Sequence, residues 1–243
     1  MAEPAVAPAP VADPVQEFLD ELPRHVDISC VQAEHTRADV EHLAAAAREH
    51  GFVSAHVLPC WVPVLHELLD GSGTLVGSPV GFPSGGSTTA TKVAEAAELL
   101  RAGVGELDVV VAVGRLRSGE LRYVTDELRA VAEVVGGAVP LRAILEVGRL
   151  DDDQVRAGVD CALEAGVPWI KTGTGWSGVP TTVDQVELIA ARARGRAAVK
   201  AAGGVRDLTT VRAMVRAGAG RFGMNATTAV AVAAAARGSG GPR

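Results

Sequence analysis

Short apolar segments recur along this chain at intervals of about 20 to 35 residues, and the stretches between them have helical period and length. They cover residues 25–30, 52–58, 74–80, 106–113, 141–147, 168–174, 197–203 and 221–225. Several, such as LDVVVAV and RAILEV, are apolar almost throughout. Strands of a parallel sheet covered by helices on its outer face look like this, because both faces are buried. The helical stretches carry matching end signals. A Thr opens 36–50, Gly103 follows 87–102, and three aspartates open 151–165 ahead of Gly166. The stretches 181–194 and 207–217 are similar. Eight strand–helix units predict a single-domain (β/α)8 TIM barrel. An open doubly wound sheet is the rival, but the first strand is followed by no Gly-rich turn.

The barrel is expected over 21–237. Residues 1–20, rich in Ala and Pro, read as a disordered arm, and 238–243 read as a flexible tail. The net charge of -6, with no basic block, argues against nucleic acid or an anionic membrane as partner. No apolar run is long enough for a membrane span, and the N-terminus lacks the basic start of a signal peptide. Cys30, Cys60 and Cys161 are too few and scattered for a disulfide framework or a zinc site. A reduced, cytoplasmic setting fits best.

Basic residues are more informative than total charge. Of 23, only Lys92, Lys171 and Lys200 are lysines. Arg stays charged, whereas Lys can lose its proton near neutrality and act as an amine nucleophile. Lys92, inside a helical stretch, reads as a compositional remnant. Lys171 and Lys200 lie at the C-terminal ends of apolar strands, where barrel chemistry sits. Asp108 and Glu146 occupy equivalent places, so four charged groups are expected to converge in the barrel mouth. A purely structural ion-pair network is the bland alternative, but burying this many charges is costly and such clusters concentrate at functional sites. A neighbouring ammonium and desolvation would free the lone pair of a lysine for attack on a carbonyl. Asp108 is placed to work with water in proton transfer.

Gly-rich turns follow the last three strands: GTGWSG at 173–178, AGGVR at 202–206 and GMNATT at 223–228. Such turns commonly cradle an anionic or polyhydroxy substrate. All six histidines lie between His25 and His66, with no metal-binding pattern, so no metal is expected. His56 alone is placed in the mouth.

At these residues the chain resembles the deoxyribose-phosphate aldolase family. The matching stretches are VGFPSGGSTTATKVAEA, ELDVVVAVGRLRSGE, LRAILEVGRL, VPWIKTGTGWS, VKAAGGVR and RFGMN, in family order across most of the chain. The resemblance implies a class I aldolase that joins acetaldehyde and glyceraldehyde 3-phosphate without metal or organic cofactor. It makes Lys171 the Schiff-base lysine, Lys200 the lysine that perturbs it, Asp108 the proton-transfer aspartate, Asp27 a support for the relay and Glu146 a positioning residue. Substrate and phosphate contacts are expected from His56, Glu146, Gly175, Trp176, Gly203, Gly204, Arg206, Gly223 and Asn225. The expected partner is a small aldehyde or sugar phosphate, and a homodimer is left open.

The chain also departs from the family. His56 and Leu58 stand where a Cys and an Asn are usual. Ala112 replaces an Asn, and Gly173 replaces the serine of KTSTG. Asn225-Ala226 replaces a phosphate-binding Ser-Ser pair, and the N-terminal motif reads DISCV. Iminium chemistry on a different, non-phosphorylated carbonyl is therefore a second reading, and a non-catalytic metabolite-binding barrel is a third.

Overall fold

The computed structural model describes residues 13–239. Eight strands, β1 (Val26–Cys30), β2 (Ser54–Val57), β3 (Leu75–Val80), β4 (Glu106–Val110), β5 (Leu141–Ile144), β6 (Trp169–Lys171), β7 (Ala198–Ala202) and β8 (Ala219–Asn225), close in sequence order. Every neighbouring pair is parallel, and β8 closes onto β1 through Asp27 beside Gly223. The helices are α1 (Pro14–Asp20), α2 (Arg37–His50), α3 (Val62–Leu69), α4 (Thr89–Arg101), α5 (Val113–Arg117), α6 (Leu121–Val135), α7 (Asp152–Glu164), α8 (Val183–Ala193), α9 (Leu208–Arg216) and α10 (Ala226–Ser239). The expected (β/α)8 barrel is what the chain forms.

Local chemistry sets the helix starts. Thr36 with Asp39, Asp151 with Gln154, and Thr182 with Gln185 form reciprocal capping boxes at α2, α7 and α8. The outward faces of the strands pack Ile28, Ala55, Leu107, Ala143, Ile170 and Phe222 against the helices, all of them buried. Burial of this kind is worth about 1.5–3 kcal/mol for each large side chain.

Three expectations change. The arm does not extend to residue 20, because Pro14–Asp20 is helical. Pro14 sits in its first turn and the Asp13 side chain accepts from the Val15 N–H. Leu19 is buried, and Phe18 stacks on His25 and meets Phe222 edge-on. Apolar residues at 15, 18 and 19 make one helical face, which outweighs the Ala/Pro composition around them. Residues 1–12 lie outside the described part. At the other end α10 runs through Gly238, so the tail expected from 238 is helical there, and 240–243 lie outside the described part. Finally, β5 stops at Ile144 rather than 147. Glu146 adopts a left-handed backbone, φ 60°, which breaks the pleat, although Leu145 and Val147 still donate to the carbonyls of Lys171 and Thr172.

Lys92 is no remnant. It is fully buried, with Nζ donating to the Val110 carbonyl at 2.7 Å and paired with Glu127 at 2.8 Å, while Glu127 accepts from the Ala112 N–H. The pair fixes the C-terminal end of β4, two residues beyond Asp108.

Candidate active site

Alternation along the strands turns a charged set inward at one level of the barrel. Lys171 on β6 and Lys200 on β7 are direct register neighbours. Both donate from Nζ to Oδ2 of Asp108 on β4, each at 2.8 Å. Lys200 also reaches Asp27 on β1 at 2.6 Å. From Asp27 the contacts continue to Arg221 Nε on β8 at 2.7 Å, from Arg221 Nη2 to Glu106 at 2.7 Å, and from Glu106 to Arg142 Nη2 on β5 at 2.8 Å. Arg142 Nη1 returns to Asp108 Oδ1 at 3.1 Å. The result is a closed circuit of six alternating charges, with Lys171 attached to it at Asp108. Ser54 donates to Asp27 at 2.7 Å. The His56 imidazole sits within 3.8 Å of carboxylate oxygens of Asp27, Glu106 and Asp108. Asp27, His56 and Glu106 could by spacing hold a cation. Arg221 already bridges both carboxylates, which leaves a metal no free charge there.

Burial does most to lower the ionisation of Lys171. Asp108 opposes this by favouring the ammonium, Lys200 reinforces it, and the pKa settles near about 8. A pKa near 8 leaves roughly a tenth of the amines neutral at pH 7, against about 3 in 10,000 for an ordinary lysine. Burial works to raise the Asp108 pKa, but the surrounding cations, Lys171 and Lys200 first, hold it well below the usual range. Glu106 lies at about 2, where contact with His56 and Arg142 overcomes burial and the charge of Asp27. Burial, and then Lys200, push His56 down, so its ring is neutral at pH 7.

A cavity of about 340 Å3 opens above this level, at the C-terminal ends of the strands. Asp27, His56, Asp108, Lys171 and Lys200 line its base, and Gly175, Gly203, Gly204, Arg206, Gly223 and Asn225 line its wall. Gly203 and Gly204 both take positive φ, 93° and 82°, which turns the β7–α9 connection over the cavity. Only 12% of the Lys171 side-chain surface is exposed, which admits a small carbonyl while keeping bulk water away.

Two expected substrate contacts lie elsewhere. Glu146 does not line the cavity; it accepts hydrogen bonds from the Thr174 N–H, at 3.1 Å, and from the Thr174 hydroxyl. It therefore braces the turn after Lys171, and the four-charge cluster expected from the sequence contains three of its members. Trp176 is 38% exposed, donates from Nε1 to the Val31 carbonyl at 3.1 Å and meets Phe82 edge-on. Its ring ties three loops together at the rim rather than offering a face to the cavity.

No family model matches the chain. Individual proteins do. It is 49% identical over 206 residues, 84% of its length and 83% of the other's, to the deoxyribose-phosphate aldolase of Sinorhizobium medicae. Among solved structures, a putative deoxyribose-phosphate aldolase from Coccidioides immitis superposes with a TM-score of 0.86 at 30% identity, covering 94% of this chain and 88% of that one. The tetrameric deoxyribose phosphate aldolase of Aeropyrum pernix gives 0.82 at 27% identity, covering 94% and 99%. The chain belongs to the deoxyribose-phosphate aldolase family. It is a carbon–carbon lyase of that family.

His56 and Asn225 stand where the resemblance implied a Cys and a Ser. His56 fits because its register neighbour on β3 is Gly77, where a side-chain carbon would lie 2.4 Å from the imidazole. Asn225 spends its Oδ1 on the Thr228 N–H, capping α10 at 2.8 Å. Sequence reasoning missed Glu106, Arg142, Arg221 and Ser54. The signal was alternation: Glu106 precedes Asp108 by two residues and so shares its inward face. Arg142 and Arg221 were hidden by a composition in which 20 of 23 basic residues are arginine.

Among the described residues no helix is long and apolar enough to cross a membrane.

Proposed function

We propose that this aldolase reversibly cleaves 2-deoxy-D-ribose 5-phosphate to acetaldehyde and glyceraldehyde 3-phosphate through an imine on Lys171. The observation that carries this reading is the Lys171 amine, largely shielded from solvent, depressed in pKa and sharing one carboxylate oxygen with Lys200. The neutral amine adds to the C1 aldehyde and releases water. Protonated at nitrogen, the imine becomes an iminium that accepts the electron pair of the C2–C3 bond as the C3 hydroxyl gives its proton to the water held by Asp108. Protonation of the resulting enamine at C2 and hydrolysis free acetaldehyde and restore the amine. Asp108 holds both nitrogens and the approaching water in place. Lys200, hydrogen-bonded to Asp108 and ion-paired with Asp27, supplies the fixed positive charge that resists a second one on Lys171.

The phosphate assignment is supported by the cavity wall, where Gly203, Gly204, Arg206, Gly223 and the start of α10 come together. A second reading, a non-phosphorylated acceptor, is favoured by Asn225 and Ala226. The Asn225 carbonyl oxygen is already used in capping, and Ala226 has no hydroxyl. Losing such charge-assisted bonds weakens phosphate binding by about 1–3 kcal/mol each. Comparing kcat/KM for deoxyribose 5-phosphate and deoxyribose decides between them. The proposal expects the phosphate to be preferred by at least about 100-fold, the worth of two retained charge-assisted bonds. Equal rates would overturn the phosphate assignment, and no cleavage of either would overturn the reaction.

A further inference from the structure

The circuit beneath Lys171 has an arithmetic of charge that contacts to Lys171 alone do not convey. Its anions are Asp27, Glu106 and Asp108, and its cations are Lys200, Arg142 and Arg221. Each cation bridges two carboxylates and each carboxylate meets two cations, so the circuit is neutral by itself. Five of the six residues are essentially closed to solvent, and Arg221 keeps only 12% of its side chain exposed. His56, at the hub, is neutral and adds no charge. Lys171 is the remaining ionisable group at this level. Protonated, it leaves one uncompensated buried positive charge; neutral, it leaves none.

Resting on the imine reading above, we propose that Glu106, Arg142 and Arg221 are positioning residues whose charges, relayed through Asp108 and Asp27, hold Lys171 in its neutral, nucleophilic form. Neither Glu106 nor Arg221 touches Lys171, and Arg142 reaches it only through Asp108. Their influence is therefore electrostatic, acting across a buried region where charges are weakly screened. Other ionisable groups face the same space: His56 from β2, Asp27 from β1, Lys200 from β7, and His35 and Arg206 from the rim, while Glu146 after β5 is turned away to Thr174. His35 and Arg206 stand at the cavity wall, nearer solvent, where screening blunts their effect.

The prediction has opposite signs for opposite charges. Removing an anion from the circuit leaves it positive, which disfavours ammonium at Lys171. Removing a cation leaves it negative, which favours ammonium. A merely structural role would lower activity in both cases and move no midpoint in opposite directions.

The test is the pH dependence of acetaldehyde incorporation at Lys171, trapped with borohydride and located by peptide mass spectrometry. Wild type is expected to show a midpoint near about 8. Glu106→Gln should move it down and Arg221→Met should move it up, each on the order of one pH unit. Arg221→Lys, which restores the charge, should bring the midpoint back towards wild type. Asp27→Asn and Arg142→Met remove the same charges at other stations, carry the same signs, and replace any variant that does not fold. Midpoints that coincide, or that move in one direction for both signs, would overturn the proposal while Lys171 is still labelled. Absence of label on wild-type Lys171 at every pH would instead overturn the imine reading, and this inference with it.

Discussion

Lys171→Met is expected to lower kcat by roughly four orders of magnitude, because a thioether cannot form the imine and no other described amine faces the same point. Lys200 is the only other lysine at this level. It is 1% exposed and held between Asp108 and Asp27, so it is both charged and sterically withdrawn. Folding should survive the change. The six-residue circuit closes without Lys171, and methionine fills a similar volume. Thermal denaturation within a few degrees of wild type, with turnover lost, is the expected pair of results. A variant that kept a hundredth of wild-type turnover would show that Lys171 is not the nucleophile.

The largest effect on stability is expected from Arg142→Ala. This guanidinium is 1% exposed and bridges Glu106 and Asp108, with the Trp169 ring 5.5 Å from its central carbon. Its removal leaves two buried carboxylates each short of one partner, and a cavity beside them. Breaking a buried ion pair from one side costs about 3–5 kcal/mol, which for a chain of this size lowers Tm by roughly 10–15 °C. Arg142→Lys should recover part of the loss, since an ammonium restores the charge but lacks the planar fork that reaches both carboxylates. Urea denaturation of the three proteins checks this. A loss below about 1 kcal/mol for alanine would mean that water or a neighbouring cation substitutes readily, and the circuit would not be the rigid base described here.

The sequence made the barrel legible because its strands are apolar on both faces and its helices carry unambiguous caps, Thr36, Asp151 and Thr182 among them. It revealed Lys171, Lys200 and Asp108 for a related reason: a charge inside an otherwise apolar strand has few innocent explanations. Arg142 and Arg221 have the same setting, but in a chain that uses Arg almost everywhere their presence carried little information. Their partner Glu106 begins β4 and read as a strand boundary. Glu146 was misplaced because strand periodicity was extended past Ile144. The left-handed backbone at Glu146 turns its carboxylate to Thr174, and no local pattern announces that turn. The helix at Pro14–Asp20 was obscured by the Ala/Pro residues before it, although Val15, Phe18 and Leu19 already had helical spacing.

The central claim is that one lysine in the barrel mouth holds an unprotonated amine available to a carbonyl. Reduction with borohydride in the presence of acetaldehyde at pH 7.5, followed by peptide mapping, addresses it directly. One ethyl group is expected, added at Lys171 and not at Lys92 or Lys200, on folded protein. An unmodified Lys171, or modification at Lys200 in its place, would contradict it.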